Sequence, residues 1–424
     1  MPNLPIVVVG AGAAGLVAAI FAARSGQRPV LLLEATPDGG RKILVSGGGR
    51  CNVLPSELVP ERFVTDSSPN TLRKMLRSWP LPEQRAFFEQ EVGVPLALEA
   101  ESGKLFPASN RARDVRDGLV ALARRSGVEL RRNARVADLS PGGDGRWTIL
   151  FETAAPIEAA AVVLATGGLS LPGTGSDGAG LRVAEKLGLR TVPTYPALTP
   201  LTGEGHAGLA GISLTVRIGA PGTGRHAEGG FLFTHRGWSG PAVLDLSDLV
   251  SRTERTERTA GTSRTETPTL RVRWCAFDEG AWETALRSGP GTPLGALRRL
   301  LPERLAEQLL LESAVEPGIS LAQLPREARK RLIANLVRYP LPATGDEGYR
   351  KAEVTGGGVH LAEVDPRTME CRSLPGLFLC GEILDAFGPI GGHNFAWAWA
   401  TGKSAGLGAL SSPTSEPHFR ETSE

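Results

Sequence analysis

Cysteine is scarce in this 424-residue chain. The four residues Cys51, Cys275, Cys371 and Cys380 show neither CxxC spacing nor dense pairing, which speaks against a metal site such as zinc and against a secreted disulfide framework, and fits a reducing compartment. Excess charge of one sign is also lacking. Forty-seven basic residues against forty-five acidic ones leave a formal charge of +2, so there is no electrostatic footprint for nucleic acid or an anionic membrane. The expected partner is a small soluble molecule, with no nucleic acid and no membrane; oligomeric state is not legible. Long apolar runs are nearly absent. One stretch, IVVVGAGAAGLVAAIFAA from Ile6 to Ala23, is long enough to span a bilayer, but Gly10, Gly12 and Gly15 fall where a β-branched run hands over to an alanine-rich one. It reads as strand, tight turn and helix. No second run predicts an integral anchor, and no Lys or Arg lies in the first five residues, so the positive n-region of a secretory signal is missing. The start reads as cytoplasmic.

What is present is a chain long enough for two or three modules. A strand over Ile6–Val9, a helix over Leu16–Arg24 and a strand over Pro29–Leu33 make a βαβ unit with a buried parallel sheet. The pattern predicts helices over Leu72–Glu91 and Val115–Ser126, strands at Glu129–Leu139 and Trp147–Phe151 around the turn PGGDG, and a buried strand at Ala161–Ala165. After about Arg190, short alternating strands (Ser213–Ile218, Gly230–Thr234, Leu270–Ala276) predict an antiparallel insert, followed by helices over Pro293–Ala314 and Leu321–Arg338. The stretch SRTERTERTAGTSRTETPT, Ser251 to Thr269, has no apolar face and reads as a solvated loop. A strand at Gly376–Cys380 and a final helix close the chain, so N- and C-terminal segments form one domain around an insert.

In GAGAAG the first glycine permits the tight turn, the second admits a pyrophosphate to the backbone, and the third lets helix and strand pack closely. Nineteen residues after Gly15 comes Glu34, at the end of the next strand, where a carboxylate accepts hydrogen bonds from a ribose 2′-OH and disfavours a 2′-phosphate. A second glycine-rich segment, GGRKILVSGGGRCN from Gly39 to Asn52, brings backbone and the cations Arg41, Lys42 and Arg50 close to something flat or anionic. At this point the cofactor is either NAD or FAD.

These residues, with ATGG at Ala165–Gly168, FLFTHRGWSGPAVL at Phe231–Leu244, EVTGGGV at Glu353–Val359 and LFLCGEILDAFGPIGGHNFAWAWATG at Leu377–Gly402, resemble the BaiN-like flavoprotein family, some members of which are described as aminoacetone oxidases. The resemblance spans nearly the whole chain. It implies an α/β fold: a Rossmann-like two-dinucleotide-binding-domain flavoprotein with an inserted antiparallel β-barrel-like module and a small helical module. The corresponding division is 1–190 and 351–411 for the FAD-binding domain, 191–350 for the insert and 412–424 for a tail.

Carried over by position, Gly10, Gly12, Ala13, Ala14 and Gly15 hold the FAD pyrophosphate, with Glu34 and Ala35 at the adenosine ribose and Gly40, Arg41 and Lys42 flanking the pyrophosphate. Ser46, Gly47, Gly48, Gly49, Arg50, Cys51 and Asn52 line the isoalloxazine ring. Val136 faces adenine, Ala165, Thr166, Gly167 and Gly168 close the cofactor edge, and Gly381 with Glu382 takes a ribityl hydroxyl. Gly392, His393, Asn394 and Phe395 open the final helix, whose N-terminal amides point toward the flavin N1–C2 carbonyl. His393 stands where relatives commonly carry tyrosine, and Ala396 where a longer polar residue is frequent. His393 is the candidate catalytic residue, as a proton donor or a support for N1, or else it caps the helix. Cys51 lacks a nearby resolving cysteine and reads as a packed thiol. His235 and Trp238 read first as turn residues, and Asp177 as the cap of a helix starting near Ala179.

Only one GxGxxG with an acidic partner is present, so NAD(P)H would have to bind transiently in the substrate cleft. The leading expectation is NAD(P)H-linked reduction of an unsaturated small organic substrate through FAD. The alternative is an O2-using amine oxidase of the aminoacetone type, ahead of a non-catalytic flavin-binding or RNA-modifying flavoprotein.

Overall fold

A computed structural model describes residues 4–142, 145–252, 269–287 and 289–412. The described residues fall into two compact units, split between Thr194 and Tyr195 and again between Glu353 and Val354. The first unit is therefore built from both ends of the chain.

Its centre is a five-stranded, all-parallel sheet with the order Leu377–Leu379, Ala161–Leu164, Ile6–Val9, Val30–Leu33 and Val128–Arg131. Ile6 pairs with Ala161 on one side and Val30 on the other, and Val162 pairs with Leu377. Four of these strands are apolar and wholly buried, as parallel strands covered on both faces must be. The first helix, Ala13–Ala22, carries no charge and is buried on nearly every side. It lies against the final helix, His393–Ser411, at backbone contact: a Cβ on Gly402 would stand 2.5 Å from the Ala14 carbonyl oxygen, and one on Gly406 2.3 Å from that of Ala18. Two glycines four residues apart share a helix face, and their missing side chains set the separation of the two helices.

Several sequence expectations need correction. The single helix over 72–91 is broken into Pro69–Arg77 and Leu81–Ala86, followed by a wider turn over Phe87–Val92, because Pro80 and Pro82 cannot donate within a helix. The strand expected over 129–139 is two strands, Val128–Arg131 in the parallel sheet and Val136–Pro141 in a separate antiparallel sheet with Trp147–Phe151 and Ile157–Ala159. Asn133, at φ 53°, turns the chain between them. The hairpin Leu96–Glu99 with Lys104–Pro107 was not anticipated.

The second unit holds a seven-stranded antiparallel sheet flanked by the helices Glu279–Arg287, Pro293–Leu297, Glu303–Glu312 and Arg326–Val337. The expected helix over 293–314 is two helices, Pro293–Leu297 and Glu303–Glu312, with Pro302 standing before the second. The expected barrel-like closure is not found among the described residues: the edge strands Tyr339–Pro340 and Gly345–Asp346 are not paired with each other. Both are two residues long, and prolines at 340 and 342 remove ladder donors where closure would start. Trp238 is fully buried and its indole N–H donates to His206 Nδ1 at 3.2 Å, while the Tyr339 hydroxyl meets His206 Nε2 at 3.0 Å. Trp238 is thus a core anchor rather than a turn residue. The Arg/Thr/Glu-rich loop and the tail expected over 412–424 lie outside the described residues except at Ser251, Arg252, Thr269 and Ser412, as do Gly143 and Asp144 of the PGGDG turn.

No helix among the described residues is long and apolar enough to cross a membrane. The apolar stretch from Ile6 to Ala23 is divided between strand and helix.

Candidate cofactor site

The carboxyl ends of the first and fourth chain-order strands of the parallel sheet meet at two glycine turns. Gly10 sits at φ 101°, and a Cβ there would lie 2.5 Å from the Ala165 carbonyl oxygen; a Cβ on Gly15 would lie 1.8 Å from that of Gly10. Gly12, by contrast, faces open space. Two glycines are required by the protein's own packing, and the middle one leaves the first turn of the helix, with its unpaired amides of Ala13 and Ala14, accessible to an anion. Beside this turn lies Ala165–Gly168, with the Thr166 hydroxyl buried and without a hydrogen-bond partner.

Glu34 ends the second strand at 9% exposure. Its carboxylate accepts from the Ala11 amide at 3.0 Å, the Thr36 amide at 2.8 Å and the Thr36 hydroxyl at 2.6 Å. A carboxylate has about four acceptor positions, so one remains. The Glu34 carbonyl accepts from the Ala134 amide at 2.8 Å, which ties the segment after Ala35 to the approach to Val136.

The segment 39–52 folds as a short helix, Arg41–Val45, followed by a left-handed run: Gly47, Gly48, Gly49 and Cys51 have φ of 55°, 66°, 85° and 64°. Side chains rarely adopt this conformation, which accounts for three glycines in a row. Gly48 faces open space, while a Cβ on Gly47 would meet Asn52 Oδ1 at 2.6 Å. That Asn52 oxygen is buried and unpartnered. Burial pushes the Cys51 thiol up to about 12, with a hydrogen bond from Ser46 offsetting only part. It is a protonated, packed group. Arg50 is held by the hairpin, its guanidinium 3.9 Å above the Phe106 ring and 3.0 Å from Glu99. Arg41 pairs with Asp38 at 2.7 Å, and Gly40 donates to the Ala11 carbonyl at 2.8 Å.

The third contribution comes from the C-terminal segment. Gly381 donates to the Thr401 hydroxyl at 3.0 Å and its carbonyl accepts from the Trp397 indole at 3.1 Å. Glu382 accepts from Lys42 at 2.6 Å, from the Ser170 hydroxyl at 2.5 Å and from the Thr355 amide at 3.0 Å. Lys42 is thus turned to Glu382 and Ser170, a pairing no reading of the sequence anticipated. Thr355 lies inside the EVTGGGV motif and Ser170 two residues beyond ATGG, yet nothing in their spacing marks them as partners of Glu382.

The final helix starts at His393, behind Gly392 at φ 96°. Asn394 clasps Gly388, accepting from its amide at 2.8 Å and donating to its carbonyl at 2.9 Å, and Phe395 stacks on Trp399. His393 is 5% exposed, edge-on to Phe63. Burial, and secondarily the charge of Arg62, push its pKa down to about 4, against the carbonyls of Ile390 and Glu57. At neutral pH it is an uncharged imidazole, able to hydrogen-bond but carrying no proton to give as an imidazolium. The cap of the helix Ala179–Lys186 is Gly178, with no side-chain cap, rather than the expected Asp177; Asp177, one residue earlier, accepts from the Ala179 amide at 3.1 Å and pairs with Arg135 at 2.6 Å.

Buried polar atoms without partners at Thr166 and Asn52, together with glycine faces open at Gly12 and Gly48, fit a large flat ligand with an anionic middle, the shape of FAD. Among the described residues there is no cluster of His, Cys, Asp and Glu able to hold a metal ion.

The family model described as HI0933-like protein Rossmann domain matches residues 4–408. The chain is 34% identical over 408 residues to a ribosomal RNA dihydrouridine synthase of Escherichia coli strain K12, covering 95% of this chain and 96% of that protein. It is 31% identical over 419 residues to a 3-dehydro-bile acid delta(4,6)-reductase of Clostridium scindens, covering 96% and 99%. Among solved structures, the 3-ketosteroid-delta4-(5alpha)-dehydrogenase of Rhodococcus jostii RHA1 aligns with 96% of this chain and 97% of its own at 17% identity and a TM-score of 0.46. On the family match and these full-length relatives, the chain belongs to the HI0933-like family of Rossmann-domain flavoproteins and is an FAD-dependent oxidoreductase.

Proposed function

We propose that this protein uses FAD and NAD(P)H to reduce a carbon–carbon double bond conjugated to a carbonyl. The observation that carries the reading is a chemical feature common to two relatives matched along almost the whole chain. Dihydrouridine is uridine saturated at a bond conjugated to a ring carbonyl, and the delta(4,6) bonds of a 3-dehydro-bile acid are conjugated to its 3-carbonyl. When bound, FAD supplies hydride transfer, and the protein supplies binding, orientation and electrostatics.

In this reading the amides of Ala13 and Ala14 and the open face at Gly12 receive the pyrophosphate, and the last acceptor position of Glu34 takes the adenosine ribose. The left-handed glycines Gly47, Gly48 and Gly49 would hold the isoalloxazine ring. His393, uncharged, orients by hydrogen bonding, so the proton that completes reduction comes from solvent or from the substrate's own surroundings. A single dinucleotide turn is present among the described residues, so the nicotinamide nucleotide exchanges in the space that the substrate also uses.

The substrate is a small enone in the first reading. The E. coli relative favours a second, in which the conjugated bond belongs to a uracil in ribosomal RNA; the balanced charge of +2 gives that reading no added support. The test is anaerobic. The FAD-loaded protein is bleached with NADH or NADPH and then offered a steroid 4-en-3-one, free uridine, ribosomal RNA or aminoacetone with air. Reoxidation by the enone, with a product two mass units heavier, supports the first reading, and dihydrouridine in the RNA the second. A flavin that ignores nicotinamide, bleaches with aminoacetone and recovers at once in air refutes both in favour of an amine oxidase.

A further inference from the structure

We propose that Lys42 is a positioning residue, holding the Glu382 carboxylate as a pre-aimed acceptor for the cofactor and cancelling its charge there. The inference rests on the reading of this site as the FAD site. Both side chains are mostly buried, with Nζ and Oε2 2.6 Å apart. The other carboxylate oxygen, Oε1, accepts from the Ser170 hydroxyl at 2.5 Å and the Thr355 amide at 3.0 Å. Ser170, fully buried, also accepts from Lys42 at 2.8 Å. The Thr355 hydroxyl in turn accepts from the amides of Leu169 and Ser170 at 2.7 and 3.0 Å. Three of about four acceptor positions of Glu382 are filled by protein, and the fourth, on the oxygen that Lys42 holds, is left for a ligand hydroxyl.

The surroundings have been cleared for this cluster. A Cβ on Gly168 would lie 2.4 Å from the Thr355 hydroxyl and 3.1 Å from Glu382, and one on Gly381 2.8 Å from the Ala14 side chain. Lys42 stands at the second position of the helix leading into the left-handed glycines. Through one ammonium group it joins the 41–52 segment, the turn after Ala165 and the Gly381–Glu382 turn, the three pieces assigned to the cofactor. Charge-assisted hydrogen bonds at this depth are about twice as strong as neutral ones. Removing Lys42 alone leaves a carboxylate with no counter-charge; removing both partners leaves neither.

The experiment measures the FAD dissociation constant of the stripped, refolding-checked protein by flavin fluorescence, and the reduction potential of the bound flavin, for wild type, Lys42→Met, Lys42→Arg, Glu382→Gln and the double variant Lys42→Met/Glu382→Gln. We expect Lys42→Met to weaken FAD binding at least tenfold and to move the potential to more negative values. Lys42→Arg should stay within about threefold of wild type, and Lys42→Met should add less than twofold in the Glu382→Gln background, since the two residues form one unit. The proposal is overturned if Lys42→Met costs as much in the Glu382→Gln background as in wild type, or if Lys42→Met and Lys42→Arg both leave affinity and potential unchanged. Wild-type protein that takes up no FAD overturns the cofactor reading itself, and this proposal with it.

Discussion

Acidification should destabilise the opening of the final helix through one identifiable group. His393 titrates near 6.5 when solvated and is pushed down to about 4 in the folded protein. Its folded value is depressed, so the unfolded state binds the extra proton: the associated stability is present above about pH 6.5 and is lost as the pH falls toward 4. Linkage over that interval gives a loss of about 2 kcal/mol at pH 5 relative to pH 7.5. Carboxylates contribute over the same range, so the useful quantity is the difference between wild type and His393→Asn. Amide hydrogen exchange in His393–Ser411, corrected for intrinsic rates, reads the local opening energy. Wild type should lose about 2 kcal/mol more than the variant between pH 7.5 and 5, and the His393 ring proton resonances should show no titration above about pH 5. Equal losses in both proteins, or a His393 resonance that titrates near pH 6.5, would refute the argument and restore an imidazolium as a candidate acid.

Two further outcomes follow from the site and its frame. Gly406→Ala reverses the usual sign of a helical Gly→Ala change, which ordinarily gains about 1 kcal/mol: the new methyl would stand 2.3 Å from the Ala18 carbonyl oxygen, so a loss of about 1–3 kcal/mol is expected, read as a lower melting temperature. Glu34→Ala removes acceptors for Ala11 and Thr36 together with the assigned ribose acceptor. A charged hydrogen bond is worth about 1.5–3 kcal/mol, so FAD should dissociate roughly ten- to a hundredfold more readily, and unchanged flavin occupancy would remove Glu34 from the ribose.

The parts of the molecule legible in its sequence were those whose causes are local. The glycines at 10, 12 and 15 announce a turn because a β-branched run, Ile6–Val9, gives way across them to an alanine-rich one. The buried strands at Ile6–Val9 and Ala161–Leu164 announce themselves because a strand covered on both faces has no polar positions. The Lys42–Glu382 pair was hidden for the opposite reason: 340 positions separate its members, and each had a separate plausible role beside the cofactor. The break near Pro80 was missed because the apolar stripe continues across it. The open edge of the second sheet was missed because a run of short alternating strands reads the same whether or not its ends meet. His393 drew notice as a residue type in an unusual place, but only its burial shows that it is uncharged.

The parallel sheet joins Val162 to Leu377, about 215 positions further on. A ribosome adding roughly 5–20 residues per second leaves the Ala161–Leu164 edge exposed for about ten to forty seconds, while the whole inserted unit is made. Through that interval a row of apolar residues and open backbone donors lies available to any other strand, and the Gly381–Glu382 turn that partners Lys42 does not yet exist. Synthesis of this protein therefore contains a built-in waiting period, and the time for which that edge stays unpaired lengthens in proportion to the time spent on the insert.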